Sequence, residues 1–177
     1  MAEFNQNLWA PWRMEYLRSL KQEGGEPGGC FLCRYAEDRK NDAVNHVVWR
    51  TEHCFTCFNQ FPYSNGHLLI SPIRHTASLA ALEEKALFDI MSQLRDAQRL
   101  LLEVTCCHGF NVGMNFGRCA GAGVPDHLHM HVVPRWEGDI NFMPVCADTR
   151  VIPQSIDALY TLMRDAAPRV GLPVLQG

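Results

Sequence analysis

His127-Leu128-His129-Met130-His131-Val132-Val133 decides how this chain is read. In a β-strand, successive side chains alternate between faces. The imidazoles at 127, 129 and 131 are therefore predicted to project from one face, with Leu128, Met130 and Val132 turned to the core. The bland alternative is a polar strand face that happens to be rich in histidine. The functional alternatives are a metal site and nucleophilic chemistry.

Directly upstream runs Asn115-Phe-Gly-Arg-Cys-Ala-Gly-Ala-Gly-Val-Pro-Asp126. Gly117, Gly121 and Gly123 let a backbone approach a ligand closely and expose its N–H groups, which suits a phosphate cradle. A glycine-rich loop alone is a weak signal. Placed before three aligned histidines, it makes phosphate chemistry the leading reading. A neutral imidazole nitrogen can attack phosphorus and form a phosphoramidate, which divides one difficult step into two. Neighbouring N–H donors then stabilise charge on the phosphoryl oxygens.

Further out, residues 46–50, 53–59 and 66–71 carry β patterns, the last after a Pro-Tyr-Ser-Asn-Gly turn. Residues 78–104 read as a long helix, with Leu79, Leu82, Ala86, Leu87, Ile90, Leu94, Ala97 and Leu101 recurring at three- and four-residue steps and Ser78 as the candidate cap. Residues 109–116 and 127–134 read as strands joined by the glycine loop. Residues 155–166 form a second amphipathic helix that Pro168 ends. The order predicts an α+β fold: a mainly antiparallel sheet with one long and one C-terminal helix.

The 177 residues suit a single domain. Residues 1–29 read as an aromatic arm (Trp9, Trp12, Tyr16) and a glycine-rich linker, 30–138 as the core, and 139–177 as a C-terminal extension. A net charge of −3 argues against a bulk electrostatic grip on nucleic acid or an anionic membrane. The apolar runs fall far short of the roughly 20 residues a membrane span needs. No secretory signal is expected, since residues 1–7 carry Glu3 and no basic run followed by an apolar core. The eight cysteines then imply a reducing cytoplasm and mostly buried thiols rather than disulfides.

His127-Leu-His-Met-His-Val-Val133 matches the pattern His-φ-His-φ-His-φ-φ, with φ apolar. The match extends to Asn59, to Gly66-His67-Leu-Leu-Ile-Ser-Pro72 and to Pro134-Arg135-Trp136. On these residues the chain resembles the histidine-triad (HIT) family. Leu8-Trp-Ala-Pro-Trp-Arg-Met-Glu-Tyr-Leu17 and Trp136-Glu-Gly-Asp-Ile-Asn-Phe142 look like the bacterial branch related to diadenosine-tetraphosphate phosphorylases and hydrolases. The resemblance implies a HIT-like fold and a nucleotidyl hydrolase or transferase acting on a nucleotide phosphoanhydride. It makes His129 the nucleophile that forms a nucleotidyl-histidine intermediate. His131 would meet the phosphate oxygens or the leaving group, and His67 would support the triad. Asn115, Gly121, Gly123 and Val124 would lie against phosphate, and Asn59 near the ribose hydroxyls. The family often carries Ser or Thr where Val124 stands, and the phosphorylases often carry Gly-Ser at Ala122-Gly123. The lost hydroxyl puts phosphorolysis in doubt. No organic cofactor is called for, and a homodimer is the family's default.

Cys30-Phe-Leu-Cys33 can supply two thiolates to zinc. Its spacing to Cys54-Phe-Thr-Cys57 resembles a zinc ribbon. That pairing is rejected, because strand residues three apart face opposite sides. Some bacterial HIT proteins and the related hexose-phosphate uridylyltransferases bind structural zinc with a CxxC, an upstream histidine and the first triad histidine. Here the resemblance implies Cys30, Cys33, His75 and His127. His46, His53 and His108 read as structural. Two competing functions remain: an adenosine phosphoramidate hydrolase, and a nucleotide-binding protein without turnover.

Overall fold

The computed structural model describes residues 29–139 and 151–173. The expected packing of the aromatic arm lies outside these residues, as do Cys146 and the end of the Trp136–Phe142 stretch. In chain order the elements are α1 (Phe31–Glu37), β1 (Val47–Arg50), β2 (Cys54–Phe58), β3 (Leu68–Pro72), α2 (Glu84–Thr105), β4 (Gly109–Met114), β5 (Met130–Arg135) and α3 (Ile156–Ala166). The strands form one antiparallel sheet in the order β1-β2-β3-β5-β4. This is the α+β architecture the sequence predicts. Among the described residues, no helix is long and apolar enough to cross a membrane.

β2 and β3 are buried along their whole length because both faces of the sheet are covered. On one face Cys54, Phe58, Leu68, Ile70, Leu128 and Val132 join Ile90, Ala97 and Leu101 of α2 and Leu159 and Met163 of α3. On the other face Val47, Phe55, Cys57 and Leu69 pack with Leu32, Tyr35 and Ala36 of α1. Cys54 and Cys57 thus belong to opposite faces, as strand alternation requires. Two polar ties fix the layers. Thr56 of β2 donates to the Gln93 side chain of α2. Arg50 of β1 donates to the buried Asp42 carboxylate and to the Ala36 carbonyl of α1. His46 meets Asp157 at 2.6 Å, joining the start of β1 to α3.

The long helix starts later than its periodicity suggests. Ser78 precedes a short 3₁₀ turn, Leu79–Ala81, and makes no side-chain cap bond. Leu82 is extended and buried, and Glu83 is the N-cap of α2. Leu82 and Leu87 occupy the hydrophobic-staple positions, and both pack on the core. Core burial of Leu82 therefore interrupts a helix that the apolar spacing alone carries through. α3 is capped as expected, with Ser155 Oγ accepting the Ala158 N–H. It ends at Ala166, two residues before Pro168, as expected. The chain passes into a 3₁₀ turn, Ala167–Val170, and Gly171, with a φ of +77°, ends that. α1 has no counterpart among the elements that the sequence predicts.

β5 begins only at Met130. Its ladder with β3 stops at the Ile70–Met130 pair. Pro72 has no N–H with which to continue a ladder. Residues 127–129 are held instead by a Leu128 N–H to Thr76 carbonyl bond at 2.8 Å and by Ser71 Oγ donating to the Leu128 carbonyl. Leu128 still turns to the helix-covered side, so the three imidazoles share the opposite side although only His131 lies within a strand. Gly66, just before His67, has a φ of +76°, and a Cβ there would stand 3.0 Å from Leu101 Cδ2. Glycine is what lets this turn close on α2.

Candidate active site and metal centre

Three histidines come together, His67 just ahead of β3 with His129 and His131 around the start of β5, and hydrogen bonds assign their protons. The Tyr63 N–H donates to His67 Nδ1 at 3.0 Å, so that nitrogen is an acceptor. Asn59 Nδ2 also lies 3.3 Å from it. His67 therefore carries its proton on Nε2 and donates it to His131 Nδ1 at 2.9 Å. His131 in turn carries its proton on Nε2. On the other branch, His129 Nδ1–H donates to the His127 carbonyl at 2.9 Å. This leaves His129 Nε2 as a lone pair with no hydrogen-bond partner among the described residues. The His129 and His131 rings are 5.1 Å apart, as are those of His67 and His131.

Burial keeps these imidazoles neutral. It depresses His67 to about 3, helped by the neighbouring His131 and His129 rings. It depresses His131 to about 4, helped by His129. His129 is lowered by burial as well, against its bond to the His127 carbonyl. A neutral Nε2 is the nucleophilic form of imidazole.

His127 turns away from this group. Its Nε2–H donates to the Pro72 carbonyl at 2.9 Å, so Nδ1 presents its lone pair elsewhere. That nitrogen lies 3.2 Å from Cys30 Sγ and 3.5 Å from Cys33 Sγ, and His75 Nδ1 lies 3.1 Å from Cys33 Sγ. The four donor atoms lie within 4.8 Å of one another. A zinc tetrahedron with Zn–S near 2.3 Å and Zn–N near 2.0 Å has edges of about 3.3–3.8 Å, close to these separations. Burial and the adjacent Cys30 thiol push the Cys33 thiol up to about 11, so a bound cation is what would favour the Cys33 thiolate. The bond to Pro72 orients the His127 ring as an outer-shell partner orients a metal-binding imidazole. The donor set fits zinc.

The glycine loop ends on the same residues. Val124, half-buried, accepts the His127 N–H at 3.4 Å through its carbonyl. Asn115 Nδ2 donates to the Gly121 carbonyl at 3.3 Å, and Gly121 sits in the left-handed region with a φ of +82°. Asn115 follows Met114, whose strand partner Met130 follows His129. Asn59 Oδ1 accepts the Phe61 N–H at 2.9 Å, which fixes its amide beside His67. Gly123 is exposed. Three participants carried no sequence signal for their roles: the carbonyls of Pro72 and His127, and Tyr63.

A sheet of this topology with this histidine array defines a histidine-triad protein. The chain belongs to the HIT family, whose domain model matches residues 40–138. Among its relatives, an AP-4-A phosphorylase of Mycobacterium tuberculosis is 36% identical over 151 residues, which is 84% of this chain and 77% of that protein. The bis(5'-nucleosyl)-tetraphosphatase [asymmetrical] of Schizosaccharomyces pombe is 31% identical over 97 residues, 55% of this chain and 53% of that protein. A crystal structure of a Zn-bound histidine triad family protein from Mycobacterium smegmatis shares the fold, with a TM-score of 0.63 and 22% identity over 80% of this chain and 94% of that one. Cys30 and Cys33 lie ahead of the matched domain, on and beside α1.

The depressed His67 gives a pH prediction. A histidine held below its ordinary value of 6.5 is neutral in the native state, whereas the unfolded chain takes up the proton first. Its stabilising contribution is complete above pH 6.5 and is lost as pH falls toward 3. His67 alone should lower the unfolding free energy by about 2 kcal/mol between pH 7 and pH 5. Urea midpoints across that range should fall, and fall less steeply in His67→Gln. A flat profile would contradict the neutral assignment.

Proposed function

We propose that this chain cleaves a phosphoanhydride bond of a dinucleoside polyphosphate, such as diadenosine tetraphosphate, by nucleotidyl transfer through His129. The observation that carries this reading is the bond from His129 Nδ1–H to the His127 carbonyl, which leaves a neutral Nε2 lone pair for attack. The substrate class follows from the names of the phosphorylase and tetraphosphatase relatives.

In the first step His129 Nε2 attacks the α-phosphorus. A P–N bond forms, the bond to the bridging oxygen breaks, and ATP departs from diadenosine tetraphosphate. In the second step an oxygen of water or inorganic phosphate attacks the same phosphorus. The P–N bond breaks, AMP or ADP leaves, and His129 returns to its neutral form. His131 offers its Nε2–H to the phosphate oxygens, and His67 holds His131 in that tautomer. Asn115, Gly121, Gly123 and Val124 line the phosphate, and Asn59 meets the ribose hydroxyls. Val124 offers no hydroxyl to an attacking phosphate, only its backbone.

Cys30, Cys33, His75 and His127 would hold a zinc ion. When bound, it supplies a closed structural tie between α1, the segment after β3 and the first triad histidine. A reducing cytoplasm is the compartment that suits thiolate ligands and the seven described cysteines, all of them free. Phe88 is 76% exposed and Met91 55% on α2, and Val112 is 41% exposed on the edge strand β4. A second copy of the chain, docked two-fold over α2, would cover Phe88 and Met91.

Incubation with diadenosine tetraphosphate should release ATP with AMP if water is the acceptor, or ATP with ADP only when phosphate is present. His129→Ala should stay folded and lose turnover, and substantial residual activity would overturn the mechanism. Release of AMP from an AMP–lysine conjugate, with diadenosine tetraphosphate untouched, would replace this reading with phosphoramidate hydrolysis. Protein prepared without added metal should carry about one zinc per chain. A Cys30→Ser, Cys33→Ser variant should lose the zinc and unfold at lower temperature, because metal binding contributes directly to folding. A metal-free wild type of equal stability would remove zinc from the account. Light scattering should give twice the monomer mass, reduced to the monomer by Phe88→Glu with Met91→Glu. A monomeric wild type would refute the dimer.

A further inference from the structure

Tyr63 has a place that the reaction above leaves unexplained. It sits in the turn between β2 and β3, yet it belongs to neither apolar core cluster, and 46% of its surface is exposed. Its ring lies on two imidazoles. The centroids are 4.6 Å from His67, with the planes tilted by 42°, and 5.7 Å from His131, with the planes nearly parallel at 24°. With the 5.1 Å between His67 and His131, the three rings make one compact group. The same residue's backbone N–H donates to His67 Nδ1. Tyr63 thus begins the chain of bonds that runs through His67 to His131, and it also roofs that chain.

The roof matters because the His67 to His131 bond joins two neutral rings. A neutral hydrogen bond open to water has little net worth, since water replaces either partner readily. If water reached His131 Nδ1, the ring could turn, or its proton could pass to Nδ1. The nitrogen facing the phosphate would then lose its proton. A flat aromatic surface over both rings excludes that water and restrains the plane of His131. We propose that Tyr63 is a positioning residue: its ring holds His131 with Nε2–H toward the phosphate. The proposal rests on the reading that a substrate phosphate lies against His129 and His131.

The test compares the full-length wild type with Tyr63→Phe and Tyr63→Ala. Kinetics with diadenosine tetraphosphate are combined with nitrogen-15 NMR of the histidine side chains, which reports which ring nitrogen carries the proton. Tyr63→Phe keeps the ring and should stay within about twofold of wild type, whereas Tyr63→Ala should keep KM within about threefold and lose about 10- to 100-fold in kcat. In wild type, His131 should show one protonated and one unprotonated nitrogen, and in Tyr63→Ala these signals should move toward each other. Unchanged kcat or unchanged His131 signals in Tyr63→Ala would overturn the proposal. So would a Tyr63→Phe variant as impaired as Tyr63→Ala, since the hydroxyl and not the ring would then matter. If Tyr63→Ala does not fold, Tyr63→Leu gives the same comparison with the volume partly restored. A wild type that cleaves no dinucleoside polyphosphate defeats the functional reading instead, and the NMR comparison still decides whether the ring orders His131.

Discussion

The His127 carbonyl accepts the Nδ1 proton of His129 at 2.9 Å, while the imidazole of the same residue points its Nδ1 at two thiols and gives its Nε2 proton to Pro72. One residue therefore orders both halves of the site. Its backbone decides which nitrogen of His129 keeps its lone pair, and its side chain closes the Cys30, Cys33 and His75 cluster. Neither task could be given to another position without losing the other. A shift of His127 would move the carbonyl that fixes the His129 tautomer together with the nitrogen that completes the four-donor cluster.

The sheet makes this division workable. One face is sealed by α2 and α3, so the helices take the apolar side chains of β2, β3 and β5. The opposite face carries α1 at one end and the histidines toward the other. α1 is short and contributes three buried side chains, Leu32, Tyr35 and Ala36. The buried Arg50–Asp42 pair and the Arg50 bond to the Ala36 carbonyl anchor it. A buried ion pair of this kind gains little net stability over an apolar pair. It does give α1 a defined seat, and Cys30 and Cys33 ride on that seat. Burial acts a second time on the imidazoles. The low polarity that disfavours their charged forms also makes neutral hydrogen bonds between them matter.

Several features were visible only in part. Apolar spacing located α2, but it could not show that Leu82 leaves the helix path to enter the core, which moves the cap from Ser78 to Glu83. A seven-residue helix carries too little periodicity to stand out, so α1 went unseen although its CxxC was singled out. Alternation correctly set the three imidazoles apart from Leu128, Met130 and Val132. It also implied one continuous histidine face. The structure divides that face: His129 and His131 join His67, whereas His127 joins the cysteines. The ladder between β3 and β5 ends at the Ile70–Met130 pair, and Pro72, two residues on, has no N–H with which to resume it, so residues 127–129 leave the strand.

What the sequence determined by itself was the chemistry available and its local order. The histidines alternate with apolar residues, glycines precede them, a CxxC stands far upstream, and the strands and helices follow in an order that only a few topologies satisfy. These are properties of neighbours along the chain, and periodicity and spacing report them directly. Which proton sits on which nitrogen was decided by tertiary structure alone. The acceptor for His129 is a backbone carbonyl, the donor to His67 is the N–H of Tyr63, and the partner of His127 is the carbonyl of Pro72. Every residue except proline carries both of these backbone groups, so no residue type marks them. Only the folded path of the chain brings one carbonyl or one N–H against one imidazole.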